Sequence, residues 1–136
     1  MNRWILKTDS DVYPYEQLER EHRAVWDGVS NPVALKHIRS MAPGDPLLIY
    51  HSGAARELVG LAHVVTDPYP DPKKNDARLA VVDIQADRRL PRPVSLATIK
   101  ADPAFGTLGL VRQPRLSVIP VPEGQWKKLL ALGGLA

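Results

Sequence analysis

Strand-length blocks of aliphatic residues, broken by proline- and glycine-marked turns and interleaved with short helical stretches, predict an α+β domain around a curved or closed sheet. Two further observations support this class. The thirteen prolines fall mainly at the junctions between apolar blocks, where a fixed φ and a missing donor do least harm. With 136 residues the chain has enough material for one core, so residues 1–136 are read as a single domain.

The elements follow in order. Arg3 to Thr8 alternates Trp4 and Leu6 against Arg3, Ile5 and Lys7, a strand ended by Thr8-Asp9-Ser10-Asp11. Tyr15 to Arg23 is helical by composition, and His22 to Trp26 extends as a short strand before Asp27-Gly28 turns the chain. Asn31 offers a side-chain oxygen to cap a helix that Pro32 opens and that runs to about Met41, where Pro43-Gly44-Asp45 stops it. Pro46 to His51 and Leu58 to Thr66 form a hairpin across Ser52-Gly53-Ala54-Ala55-Arg56. Asp67 to Asp76 is a proline-stiffened loop exposing Tyr69, Lys73 and Lys74, followed by a strand from Leu79 to Ala86. Ser95 caps a helix through Lys100, Leu116 to Val121 is the last strand, and an amphipathic helix from Glu123 to Leu132 stops at Gly133-Gly134.

Composition removes several chemistries. With no cysteine there is no disulfide, thiolate zinc site or cysteine nucleophile, which suits a reducing interior. Met1 to Lys7 holds only Ile5-Leu6 as an aliphatic pair, and no block reaches membrane length, so a soluble cytoplasmic protein without a membrane partner is expected. The net charge of +3 favours phosphates mildly, and its basic residues are spread along the chain rather than gathered in a tail. His22, His37, His51 and His63 show no metal-ligand spacing, and no GxSxG, Walker loop or GxGxxG follows a strand. Asp9 with Asp11 and Asp67 with Asp71 suit local turn bonding. Neither cofactor nor metal is expected.

Two runs place aromatic faces beside short hydrogen-bonding side chains: Trp26-Asp27-Gly28-Val29-Ser30-Asn31 and Tyr50-His51-Ser52. Each residue has two readings. Trp26 packs in the core or stacks on a planar ligand; Asn31 caps its helix or reads a base edge; His51 and Ser52 satisfy backbone groups or border a pocket. Tyr69, Lys73 and Lys74 are a solvated turn or a clamp on nucleic acid.

The matching stretches run in order along nearly the whole chain. They are Trp4 to Thr8, Trp26 to Val29 with Asn31, Met41 to Asp45, Tyr50 to Ser52, Val59-Gly60 with Ala62, and Tyr69 to Pro72. In the tail, Ile99 to Pro103, Leu110-Val111-Arg112 and Arg115 to Val118 are the most specific. Together they resemble the EVE domain family. The resemblance implies a PUA-like mixed β pseudo-barrel with short flanking helices. It implies no catalysis and a pocket for a modified or flipped base, modified cytosine in DNA above all. By that resemblance Trp26, Val29, Ser30, Asn31, Tyr50, His51 and Ser52 border the base, Lys7 and Thr8 approach it, and Tyr69, Lys73, Lys74 and Arg115 contact the nucleic-acid backbone. Ser30, Pro32 and Leu35 stand where the family has an arginine, an aromatic ring and a second arginine, and Ser10 and Gly53 also depart from its pattern. The expected protein is thus a monomeric, non-catalytic reader of nucleic acid. The alternatives are an RNA-binding accessory indifferent to modification and a nucleotide-acting enzyme.

Overall fold

The computed structural model describes residues 1–135. Seven strands, β1 (Trp4–Asp9), β2 (Arg23–Trp26), β3 (Pro46–Ser52), β4 (Glu57–Val64), β5 (Tyr69–Pro70), β6 (Ala80–Ser95) and β7 (Val118–Pro120), form one mixed sheet. Its order is β2-β6-β4-β3-β1-β7, with β5 paired to β6 off this path. Only β1 and β3 run parallel. Five helices flank it: α1 (Tyr15–Glu21), α2 (Pro32–Arg39), α3 (Leu96–Ala101), α4 (Gly109–Arg112) and α5 (Glu123–Leu132). Helix α2 packs on edge strand β7 and on β6 beside the other edge, so it bridges the open side of a curled half-barrel.

Most predicted elements are present, and the differences have physical reasons. Helix α1 ends at Glu21 because His22 takes φ +63°, a left-handed conformation that breaks the helix. Asn31 caps α2, its Oδ1 accepting from the Val33 and Ala34 N–H groups at 2.9 and 3.1 Å. That helix stops at Arg39, two residues before Met41. The alternation expected for the first strand fails at Ile5, which is fully buried beside Trp4 and Leu6. A central strand covered on both faces carries a continuous apolar run instead.

The largest correction is β6, which continues past Ala86 to Ser95 despite Pro91 and Pro93. Gly60 pairs with Arg89 and Leu58 with Val94, so Val59 alone faces the four residues 90–93. The prolines sit in this bulge, where no ladder hydrogen bond asks for their missing donors. The last strand shrinks to Val118–Pro120, and α4 and a 3-10 turn at Pro103–Phe105 occupy a stretch that lacks helical periodicity.

Gly60, next to that bulge, receives the ring of Tyr15. A Cβ at residue 60 would lie 2.4 Å from the Tyr15 Cζ atom. Tyr15 is only 1% exposed, its hydroxyl donates to the Leu61 carbonyl at 2.6 Å, and it has no room to retreat. Gly60→Ala is therefore expected to destabilise by about 1–3 kcal/mol, the usual cost of overpacking, read as a lower denaturant midpoint at unchanged slope. A variant as stable as the parent would show that the Tyr15 ring is free to move.

Candidate functional site

The carboxyl ends of the parallel pair β1 and β3 lie side by side, with Lys7 opposite Tyr50, Thr8 opposite His51 and Asp9 opposite Ser52. Side chains alternate across a strand, so this register sends Lys7, Tyr50, Asp9 and Ser52 to one face and Thr8 and His51 to the other. Thr8 and His51 both serve the chain that returns from β1. The Thr8 hydroxyl donates to the Tyr13 carbonyl at 2.9 Å, and His51 Nε2 accepts the Tyr15 N–H at 2.9 Å.

One cleft of about 890 Å³ opens at this end of the sheet, lined by Lys7, Thr8, Tyr13, Trp26 and Val29 among others. Trp26 is 8% exposed, so it presents a strip of indole to the cleft and buries the rest. The Tyr13 ring meets it edge-on, with centroids 6.1 Å apart at 81°. Tyr13 donates to Glu21 Oε1 at 2.5 Å, and burial together with that carboxylate holds its hydroxyl protonated well above the ordinary tyrosine value. Lys73 hangs over the rim, 3.9 Å from Asp27. The charges here balance, with Lys7, Arg23 and Lys73 set against Asp9, Glu21 and Asp27.

A second cleft of about 280 Å³ holds Tyr50 and Ser52 together with Lys7, Arg56 and Lys100. Lys7 divides it from the first, since it lines both. Its ammonium donates to the Pro114 carbonyl at 2.8 Å and lies 5.8 Å from the Tyr50 ring centroid, and burial pushes its pKa down. A third hollow of about 420 Å³ joins Asn31 and Val33 to Gln113, Pro114, Arg115 and Leu116.

The expected site residues are thus distributed over three neighbouring hollows rather than two walls of one pocket. Trp26, Val29, Lys7, Thr8 and Lys73 come together, Tyr50 and Ser52 lie beyond Lys7, and Asn31 sits with Arg115. Ser30 is exposed and outside these walls, as is Lys74. His51 faces α1 and not the cleft of Tyr50 and Ser52. Tyr69 is half-buried and held by its hydroxyl, which donates to Asp83 at 2.5 Å and is pushed up to about 12 by burial and that carboxylate. It is therefore tethered rather than displayed on a loop. Tyr13, Arg23, Arg56 and Lys100 were not anticipated. The period of two in β3 separates His51 from its neighbours, and Arg56 follows Ser52 across the hairpin tip. Among the described residues no group of three or more His, Asp and Glu side chains gathers as a metal-holding set, and no helix is long and apolar enough to cross a membrane.

A curled mixed half-barrel with short helices around it and clefts at the ends of its parallel strands defines the PUA-like class. The EVE domain model matches residues 2–132, and the chain belongs to that family. It is 27% identical over 165 residues to mouse thymocyte nuclear protein 1, covering 96% of this chain and 73% of that one. It is similar to a protein of Agrobacterium tumefaciens solved by crystallography, with TM-score 0.96 and 34% identity over 100% of this chain and 95% of that one. The fold also matches human THYN1 protein in complex with DNA containing 5-methylcytosine, with TM-score 0.87 and 24% identity over 98% of each chain.

The His51 contact carries a pH signature. Burial, with Arg89 adding to it and Glu57 opposing it, pulls the imidazole below its ordinary 6.5. Only the neutral ring can accept from Tyr15, so the folded state binds fewer protons than the unfolded one. The contribution is complete above about pH 6.5 and is lost as pH falls through the unfolded pKa toward the depressed folded one. His37 shifts downward too, by burial and then by Lys36, and acts with the same sign. Denaturant unfolding of His51→Gln is expected to show a shallower loss of stability with falling pH than the parent; an equal loss would assign the effect to His37.

Proposed function

We propose that the chain is a non-catalytic nucleic-acid-binding module that holds a modified or flipped base, of modified-cytosine type, in the cleft beside Trp26. The convergence of Lys7, Thr8, Val29 and Trp26 around one hollow of about 890 Å³ at the ends of β1 and β3 carries this reading. A hollow of that size suits a planar polar ligand with a few fixed polar contacts. Membership of the EVE family and the human THYN1 complex with 5-methylcytosine DNA support it.

The roles follow from what each group has left to offer. Trp26 offers a strip of indole and Tyr13 a ring set at 81° to it, so a base can contact both; a full base–ring stack is worth roughly 1–3 kcal/mol, the upper bound for this contact. Asn31 spends its carbonyl oxygen on the helix cap, which leaves its amide N–H groups to donate toward a base or sugar. Ser52 and Tyr50, across Lys7, lie where the sugar or the next nucleotide would pass. A single buried methyl adds only about 0.8 kcal/mol, a severalfold preference, so a polar modification such as hydroxymethyl is the easier feature to read.

Trp26 is too buried to remove outright, since Trp26→Ala would cost the fold about 3–5 kcal/mol. Calorimetric titration with matched modified and unmodified oligonucleotides is expected to show a preference for the modified set. Trp26→Phe should lower that affinity severalfold while the protein stays folded. Equal or absent binding across the set would refute the base reading.

Asn31→Asp separates capping from recognition: the carboxylate keeps the cap, so the unfolding midpoint should hold while the loss of amide donors weakens binding. A binding constant unchanged in that variant would confine Asn31 to α2.

A further inference from the structure

The cations of this molecule fall into two groups. Arg3, Arg23, Lys73, Arg78, Arg89, Lys127 and Lys128 each lie within 4.0 Å of a carboxylate. Among the described residues eleven have no such partner: Arg20, Lys36, Arg39, Lys74, Arg88 and Arg92, and also Lys7, Arg56, Lys100, Arg112 and Arg115. The last five are set apart because they line hollows that share wall residues. Lys7, Arg56 and Lys100 line the cleft of about 280 Å³, whose walls include no carboxylate. That cleft shares Pro114 with the hollow of Arg115, which in turn shares Val33 and Gln113 with a larger one of about 1020 Å³ containing Arg112. The hollows thus adjoin one another along residues 112–115. In the 67–76 loop Lys73 leans on Asp27, while Lys74 is exposed with no carboxylate within 4.0 Å.

We propose that this row of hollows is the path of a single nucleic-acid strand, whose phosphates pass Arg56, Lys100 and Lys7 and leave over Arg115 and Arg112. Cations free of carboxylate partners along adjoining hollows suit a phosphodiester backbone, because each neutralised phosphate releases counterions and no intramolecular ion pair has to be broken. A paired cation gives back its own ion pair on binding, which makes Lys73 a poorer contact than its exposure suggests. The first cleft, of about 280 Å³, has room for a sugar-phosphate beside the ring of Tyr50. Its shared wall, Lys7, joins the path to the cleft of Trp26, so a base turned out of the strand would enter there. The direction of the strand rests on the base-pocket reading; the path itself does not.

The test uses the full chain and a fluorescein-labelled oligothymidylate without modified bases, with affinity followed by anisotropy over a range of salt. Arg56→Gln with Lys100→Gln, and Arg112→Gln with Arg115→Gln, are each expected to reduce the slope of log K against log salt by about 1.4, from about 0.7 per single-strand phosphate contact. Each pair should also weaken low-salt binding by tenfold or more. Exposed arginines and lysines tolerate glutamine, and unfolding curves of each variant serve as the check that it folds. Lys127→Gln with Lys128→Gln, both paired with carboxylates, should leave the slope nearly unchanged. The path is overturned if the parent fails to bind, if the first two pairs keep the parental slope, or if the Lys127 and Lys128 pair carries the loss. It is equally overturned if an acidic peptide competes as well as the oligonucleotide, which would make the groove a protein-docking site. Loss of discrimination between modified and unmodified oligonucleotides with the slope effects intact would instead count against the base pocket alone.

Discussion

The seat of Tyr15 on the bare backbone of Gly60 is the contact on which the functional end of the molecule depends. From one residue, three bonded or packed contacts reach three strands. The N–H donates to His51 at the end of β3, the ring lies on β4, and Arg89 of β6 approaches the ring at 5.6 Å from its centroid. Helix α1 is too short to hold itself by local propensity, so this anchor fixes it. The turn before it is tied back to β1, with the Val12 and Tyr13 N–H groups both donating to the Asp9 carbonyl at 2.9 Å. Tyr13 is held between those two attachments, and its ring is thereby set against Trp26. The aromatic wall of the cleft is a consequence of core packing a few residues away.

This explains which parts of the structure were legible in the sequence. The Asn31-Pro32 start of α2 and the glycine-containing hairpin after Ser52 are local signals, and both elements form where those residues lie. Strand β6 outruns the expected Leu79 to Ala86 by nine residues at its far end and carries Pro91 and Pro93 within it. Only the tertiary register, with Val59 facing the four residues 90–93, shows that they lie in a bulge. His51 could have been separated from Tyr50 and Ser52 by strand alternation alone. No local rule distinguishes Lys73 from Arg115, since both are exposed cations near prolines. Asp27, which neutralises one and not the other, is brought there by the fold.

Charge and aromatic character are consequently segregated around Lys7. On one side the cleft of Trp26 has balanced charge, which limits nonspecific attraction and leaves shape and hydrogen bonding to select the ligand. On the other the groove carries uncompensated cations and little means of reading a base. On the proposed nucleic-acid reading, base discrimination and backbone attraction would fall to different walls, the division of labour that nucleic-acid interfaces generally show. Lys7 belongs to both, and its bond to the Pro114 carbonyl keeps its position fixed where the two meet.

The departures from the family pattern acquire a physical meaning on this view. Leu35 is 4% exposed on the inner side of α2, so at a position where the resemblance implies a cation this chain buries an apolar side chain. Ser30 and Pro32 are exposed at the start of that helix and contribute neither charge nor ring. The hollow beside Asn31 then has Arg115 as its one charged wall residue, supplied from the segment after α4 rather than from α2. On the proposed path, attraction for a phosphate at this end of the molecule would come from Arg112, Arg115 and Arg56 at the hairpin tip, while Asn31 and Leu35 give α2 its cap and its packing.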